Sequence, residues 1–159
     1  MIEVDIINCK SRQKRELYEK STKYFIHALM PRIKHMHIDV CIENSLDADA
    51  FCTQIEPKYF IIEVAKRLPL VEQIKSIAHE MVHCRQFYSK KLQYKNNKIF
   101  WLGKGYDFNG LKRNDLTQDE YHTYLNTPWE VEAYGLEIEL YNNFLNIFPG
   151  SSVGRTVDC

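Results

Sequence analysis

The chain has 159 residues, 45% of them hydrophobic and 13% aromatic, with 21 Lys+Arg against 21 Asp+Glu. That length suits one domain, and the apolar share can fill a real core, which excludes wholesale disorder. A formal net charge of zero argues against a protein that works mainly as a polycation on nucleic acid. The zero conceals segregation, however. Residues 66–113 hold eleven basic and three acidic groups, whereas 114–147 hold seven acidic and none basic. Opposing blocks of this kind must neutralise each other in space, or one of them must use its charge.

The start, Met1-Ile2-Glu3-Val4-Asp5, lacks the basic residues and apolar run of a secretory signal. No apolar run approaches the roughly 18 residues that span a bilayer. Cys9, Cys41, Cys52, Cys84 and Cys159 are odd in number and show no CxxC spacing. They read as small core thiols in a reducing cytoplasm rather than as a disulfide framework.

In chain order, residues 2–7 alternate as a strand does, and 12–30 read as a helix closed by Pro31. Strand-like runs follow at 36–43, 50–56 and 59–64, the last two joined by Pro57-Lys58 as a hairpin turn. A helix is expected from Pro69 to about Lys90, then a short strand or hairpin with loops over 91–113. A short helix from Asp115 to Leu125 and a long one from Pro128 to about Phe148 complete residues 1–148 as one domain, and 149–159 are expected to be a mobile tail. Strands gathered early and helices late predict an α+β fold, with a small mixed or antiparallel sheet packed on helices.

The helix at 69–90 contains His79-Glu80-Met81-Val82-His83, an HExxH motif. Two histidines four apart project from one helix face and can reach a single metal ion, and the intervening glutamate can act as base toward a metal-bound water. At about 100° per residue, Leu70, Val71, Ile74, Ile77, Ala78, Met81 and Val82 fill one apolar arc, and both histidines fall together just beyond its edge. A ligand pair at the wall of a cleft belongs there. His35 and His37, at the start of a strand, are expected to play ordinary polar roles.

A catalytic zinc site needs a third protein ligand and an open position. On the helix at 128–148, Glu130 and Glu137 fall near the middle of a broad apolar arc that includes Val131, Tyr134 and Ile138, while Glu132 falls on the polar side. A carboxylate on a buried face needs a cation or several donors to offset desolvation. Glu130 is therefore the expected third ligand, Glu132 can simply be solvated, and Ala133 is small enough to let the two helices approach. Glu137 has two open readings: accepting a hydrogen bond from a ligand imidazole, or pairing with Arg85.

The run from His79 to Gln86, followed some 40 residues later by Pro128-Trp129-Glu130-Val131-Glu132-Ala133-Tyr134-Gly135, resembles small phage and bacterial metallopeptidases that are similar to gluzincins. The resemblance covers roughly residues 59–140. It implies a single-domain zinc peptidase, cytoplasmic and in the host cytoplasm if phage-encoded, with His79, His83 and Glu130 as zinc ligands and Glu80 as base. Gluzincins often carry an acidic residue four positions after the ligand glutamate, and this chain has Tyr134 there. Such enzymes also use Tyr or His to stabilise the oxyanion, for which Tyr121, His122 and Tyr124 are the candidates.

The expected partner is a polypeptide substrate. Tyr59-Phe60-Ile61-Ile62-Glu63 reads first as a buried core strand and, alternatively, as an edge onto which a peptide adds. Two other functions compete: a metal-stabilised binding module without turnover, and a DNA-associated protein using the basic block 85–113 with its interleaved Tyr88, Tyr94, Phe100 and Trp101.

Overall fold

The computed structural model describes residues 1–107 and 117–150. The expected tail at 151–159, and Lys112, Arg113 and Asp115, lie outside the described residues. Alternating Ile2–Ile7 forms β1, and Ser11 then caps α1 (Arg12–Leu29), its side chain accepting from the Lys14 amide at 3.3 Å. Strands β2 (Met36–Glu43), β3 (Ala50–Glu56) and β4 (Tyr59–Ala65) follow, with Pro57-Lys58 turning β3 back along β4.

The sheet order is β1-β2-β4-β3, with β1, β2 and β4 parallel and β3 antiparallel at the edge. The segment 59–63 is therefore an inner strand, and among the described residues the sheet edge beside it is β3. One sheet face, carrying Ile38, Val40, Phe60, Ile62 and Val64, is sealed from water by the helices. The other carries alternating polar residues, as expected when only one face is covered.

Helix α2 (Leu70–Tyr88) follows β4 with Pro69 at its N-cap, and packs against α1, β3, β4 and the last helix at once. Past Lys90, whose φ of 61° ends the helical run, comes a meander of β5 (Leu92–Lys95), β6 (Lys98–Trp101) and β7 (Lys104–Tyr106). Its first turn is Asn96-Asn97, both at positive φ (51° and 60°), which the right-handed strand twist favours and which asparagine tolerates. A capping box of Thr117 and Glu120 starts α3 (Gln118–Leu125), and Pro128 occupies the first turn of α4 (Pro128–Ile147).

Helix α4 buries Trp129, Glu130, Ala133, Leu140, Tyr141 and Phe144. The apolar arc expected on it is too broad. Val131, Tyr134 and Ile138 are exposed, because only the stripe facing α1 and α2 has anything to pack against. Ala133, one turn after Glu130 on α4, is fully buried in the core. Among the described residues no helix is long and apolar enough to cross a membrane.

The two small residues of α4 make a paired test. Ala133→Leu forces extra methyl groups into the core and should lower unfolding free energy by about 1–3 kcal/mol. A Cβ at Gly135 meets nothing within 4 Å, so Gly135→Ala should raise stability by about 0.5–1 kcal/mol. Urea unfolding midpoints measure both.

Candidate metal centre

Within α2 the 3.6-residue repeat stacks His79 and His83 one turn apart on the side facing α4. Both are buried, at 8% and 7% exposure, rather than standing at the rim of the core. Their Nε2 atoms meet at 3.2 Å. From α4, Glu130 comes down on the pair with its carboxylate 2% exposed as a residue, Oε2 lying 3.1 Å from His79 Nε2 and Oε1 3.1 Å from His83 Nε2. Glu80 joins the cluster, with ligand atoms of His79, Glu80 and His83 all within 4.8 Å of one another. The preference for Glu130 is thus matched by its position. Glu132, expected to be solvated, instead accepts from Arg85 at 2.6 Å and Lys91 at 2.8 Å.

What fixes the rings lies on their other nitrogens. His79 Nδ1 donates to Glu137 Oε2 at 2.7 Å, and His83 Nδ1 donates to Gln86 Oε1 at 2.8 Å. Of the two readings for Glu137, the imidazole contact is the one found, since Arg85 is engaged by Glu132. Tyr134 packs its ring edge against His79 at 4.5 Å, while Glu137 one turn further on holds the imidazole. Gln86 had no assigned role from sequence. Its fully buried amide also donates to the Trp129 carbonyl at 3.0 Å, tying α2 to the start of α4. The available signal was its angle on α2, between Val82 and the two histidines.

When both rings are neutral, with each Nδ1–H committed, their Nε2 lone pairs face Glu130. Two imidazole lone pairs and a carboxylate then converge on one point with no donor among them. Such a set calls for a cation. Zinc fits the set: a tetrahedral ion with bonds of about 2.0–2.1 Å separates its ligand atoms by about 3.3 Å, close to the 3.1–3.2 Å spacings here. Among the described residues the ion-pair partners of Glu130 and Glu137 are these histidines alone.

Electrostatics agree. Burial opposes charge on His79, but the carboxylates of Glu130 and Glu137 outweigh it and push its pKa up to about 10. Burial likewise opposes charge on His83, and Glu130 raises it all the same. Glu130 is held well below the usual carboxylate range, its hydrogen bonds to both rings overcoming desolvation. In metal-free protein at neutral pH a proton therefore takes the cation's role.

Among the candidate donors, Tyr124 on α3 gives its hydroxyl to Glu130 Oε1 at 2.6 Å, and burial, then Glu130, push its pKa up. Tyr121 lies one turn earlier, half-buried, its ring 6.4 Å from that of exposed His122. Next along α2, Cys84 Sγ meets Cys52 Sγ of β3 at 3.4 Å, a contact that holds the Cys52 thiol protonated. In the basic block, Arg85 and Lys91 are taken up by Glu132, Lys98 pairs with Asp107 at 3.4 Å, and Trp101 turns toward Trp129 at 6.4 Å. No protein-family model, curated protein or solved structure matches the chain.

Two measurements check this geometry. Because zinc must displace the proton shared by His79 and Glu130, its apparent affinity should rise about tenfold per pH unit between pH 6 and 8; zinc titration across that range reads it. The sign follows from a pKa raised above the free imidazole value of 6.5: the ring is protonated throughout this window and loses its proton only near 10. Removing the outer supports, as Gln86→Leu or Glu137→Gln, should weaken zinc binding about 10–100-fold in the same titration.

Proposed function

We propose that this chain is a zinc-dependent hydrolase, a peptidase acting on extended polypeptide through His79, His83 and Glu130 as metal ligands and Glu80 as base. The observation that carries the reading is the convergence of two oriented imidazoles and a buried carboxylate around one point, with a further carboxylate, Glu80, beside them. Zinc bound there would lower the pKa of a coordinated water and polarise a carbonyl.

The chain's own residues do the rest. Glu80, 8% exposed between the two histidines, takes the proton of the attacking water and delivers it to the leaving amine. Tyr124 is protonated across the working pH range and stands at the same carboxylate, so it can donate to the oxyanion. Glu137 and Gln86 keep both rings in the tautomer that the site requires. An extended peptide suits the architecture. Strand β3, packed against α2, pairs only with β4 among the described residues, and a peptide can add to its other edge by backbone hydrogen bonds.

Glu80→Gln is the test. The variant should retain zinc while peptide hydrolysis falls about 10²–10⁴-fold, the span of a lost general base. Equal hydrolysis by wild type and variant would reject Glu80 as base. If zinc is bound but neither form cleaves an unfolded protein substrate, the chain is a metal-stabilised binding module instead.

A further inference from the structure

The sheet face turned away from the helices carries a second convergence of metal-ligand side chains. Strands β1 and β2 run parallel with Asp5 in register with Asp39, and alternation brings His37, two residues earlier on β2, to the same face. His37 Nε2 lies 3.0 Å from Asp5 Oδ2 and 2.9 Å from Asp39 Oδ1, and the three residues offer ligand atoms all within 4.8 Å of one another. Ordinary ion pairing leaves this arrangement half explained. One ring nitrogen carries at most one hydrogen, so it serves one carboxylate well and not two, and like charges directly opposite on neighbouring strands repel. A cation beside that nitrogen satisfies both carboxylates and accepts the ring's lone pair.

Two of the three donors are already held in place. Tyr59 on β4 donates its hydroxyl to Asp39 Oδ2 at 2.6 Å, leaving Oδ1 directed at the shared point, and its ring stacks on His37 at 4.7 Å and 25°. The Asp39 side chain is 12% exposed, while Asp5 is 67% exposed, so an ion reaches the group from solvent past Asp5. The strands themselves add acidic charge, while Arg12 and Arg15 of α1, together with Glu16 and Glu19, line a cavity beside Asp5. Strand positions on this face of β1, β2 and β4 include Glu3, Glu43 and Glu63 besides the two aspartates, and no lysine or arginine.

We propose that Asp5, His37 and Asp39 form a second divalent-metal site, distinct from the His79–His83–Glu130 centre. Its donor set of two carboxylates and one imidazole suits Zn²⁺ or Mn²⁺, with water completing the coordination. The bound ion ties edge strand β1 to β2. Nothing in this site depends on the hydrolytic reading, since it shares no residue with the helical centre and lies across the sheet from it.

Equilibrium dialysis of metal-stripped protein against Zn²⁺ tests the proposal. Wild type should take up two equivalents. His37→Ala and Asp5→Asn should each take up one, and Asp5→Asn changes only an exposed side chain, so folding is preserved. Glu130→Gln should retain the equivalent that His37→Ala loses, and Tyr59→Phe should weaken that equivalent about tenfold. Uptake unchanged by both His37→Ala and Asp5→Asn would overturn the proposal. So would a single wild-type equivalent that Glu130→Gln abolishes. A single equivalent lost in His37→Ala but kept in Glu130→Gln would support this site and reject the helical centre, so the two fail separately.

Discussion

The carboxylate of Glu130 sits almost wholly out of water between two imidazole nitrogens, 3.1 Å from each, and much of the fold exists in a form that lets it stay there. Burying a carboxylate costs several kcal/mol unless charge and hydrogen bonds offset it. The offset comes from three side chains on two helices: His79 and His83 of α2, and the Tyr124 hydroxyl of α3. Each ring is held in turn from behind, one by Glu137 and one by Gln86. A carboxylate so fixed in position between two imidazole nitrogens is preorganised for a cation, whose role a proton takes in metal-free protein.

Helix α2 makes this possible because it is surrounded. The sheet, α1 and α4 all pack on it, and its histidine side is turned toward α4. Ala133 is buried one turn after Glu130, and Gln86 pins α2 to the Trp129 carbonyl at the start of α4, one residue before Glu130. Glu132, two residues on, gathers Arg85 and Lys91. The segregated charges of the sequence thus meet here: the basic segment around α2 and the acidic segment of α4 are joined by that pair at the rim and by the His–Glu cluster within.

Local signals carried most of the element boundaries. Pro57-Lys58 marked a hairpin, Pro128 a helix start, and HExxH a helix with two histidines on one face. The choice of Glu130 over Glu132 followed from helical angle and the cost of desolvation, both local. What the sequence left open depends on contacts distant in the chain. The parallel pairing of β1 with β2 and β4 joins strands separated by whole helices, which periodicity does not encode. The width of the buried stripe on α4 depends on how many neighbours it has, so Val131 and Ile138 read as core and are exposed. Glu137 could be placed on the buried face but not assigned between His79 and Arg85 until Arg85 was seen with Glu132. Gln86 looked like any glutamine, and His37 like any strand histidine, because the acceptors that give them meaning come from Trp129, Asp5 and Asp39 elsewhere in the fold.

The central claim is that the buried cluster is a zinc site built from two imidazoles and one carboxylate. X-ray absorption at the zinc edge reads the ligands directly, using the His37→Ala variant loaded with one equivalent so that one site contributes. The account predicts nitrogen and oxygen neighbours only, at about 2.0–2.1 Å, with the multiple scattering of two imidazole rings. A sulfur shell at about 2.3 Å, as Cys52 or Cys84 would give, or failure of the variant to retain zinc, would contradict it.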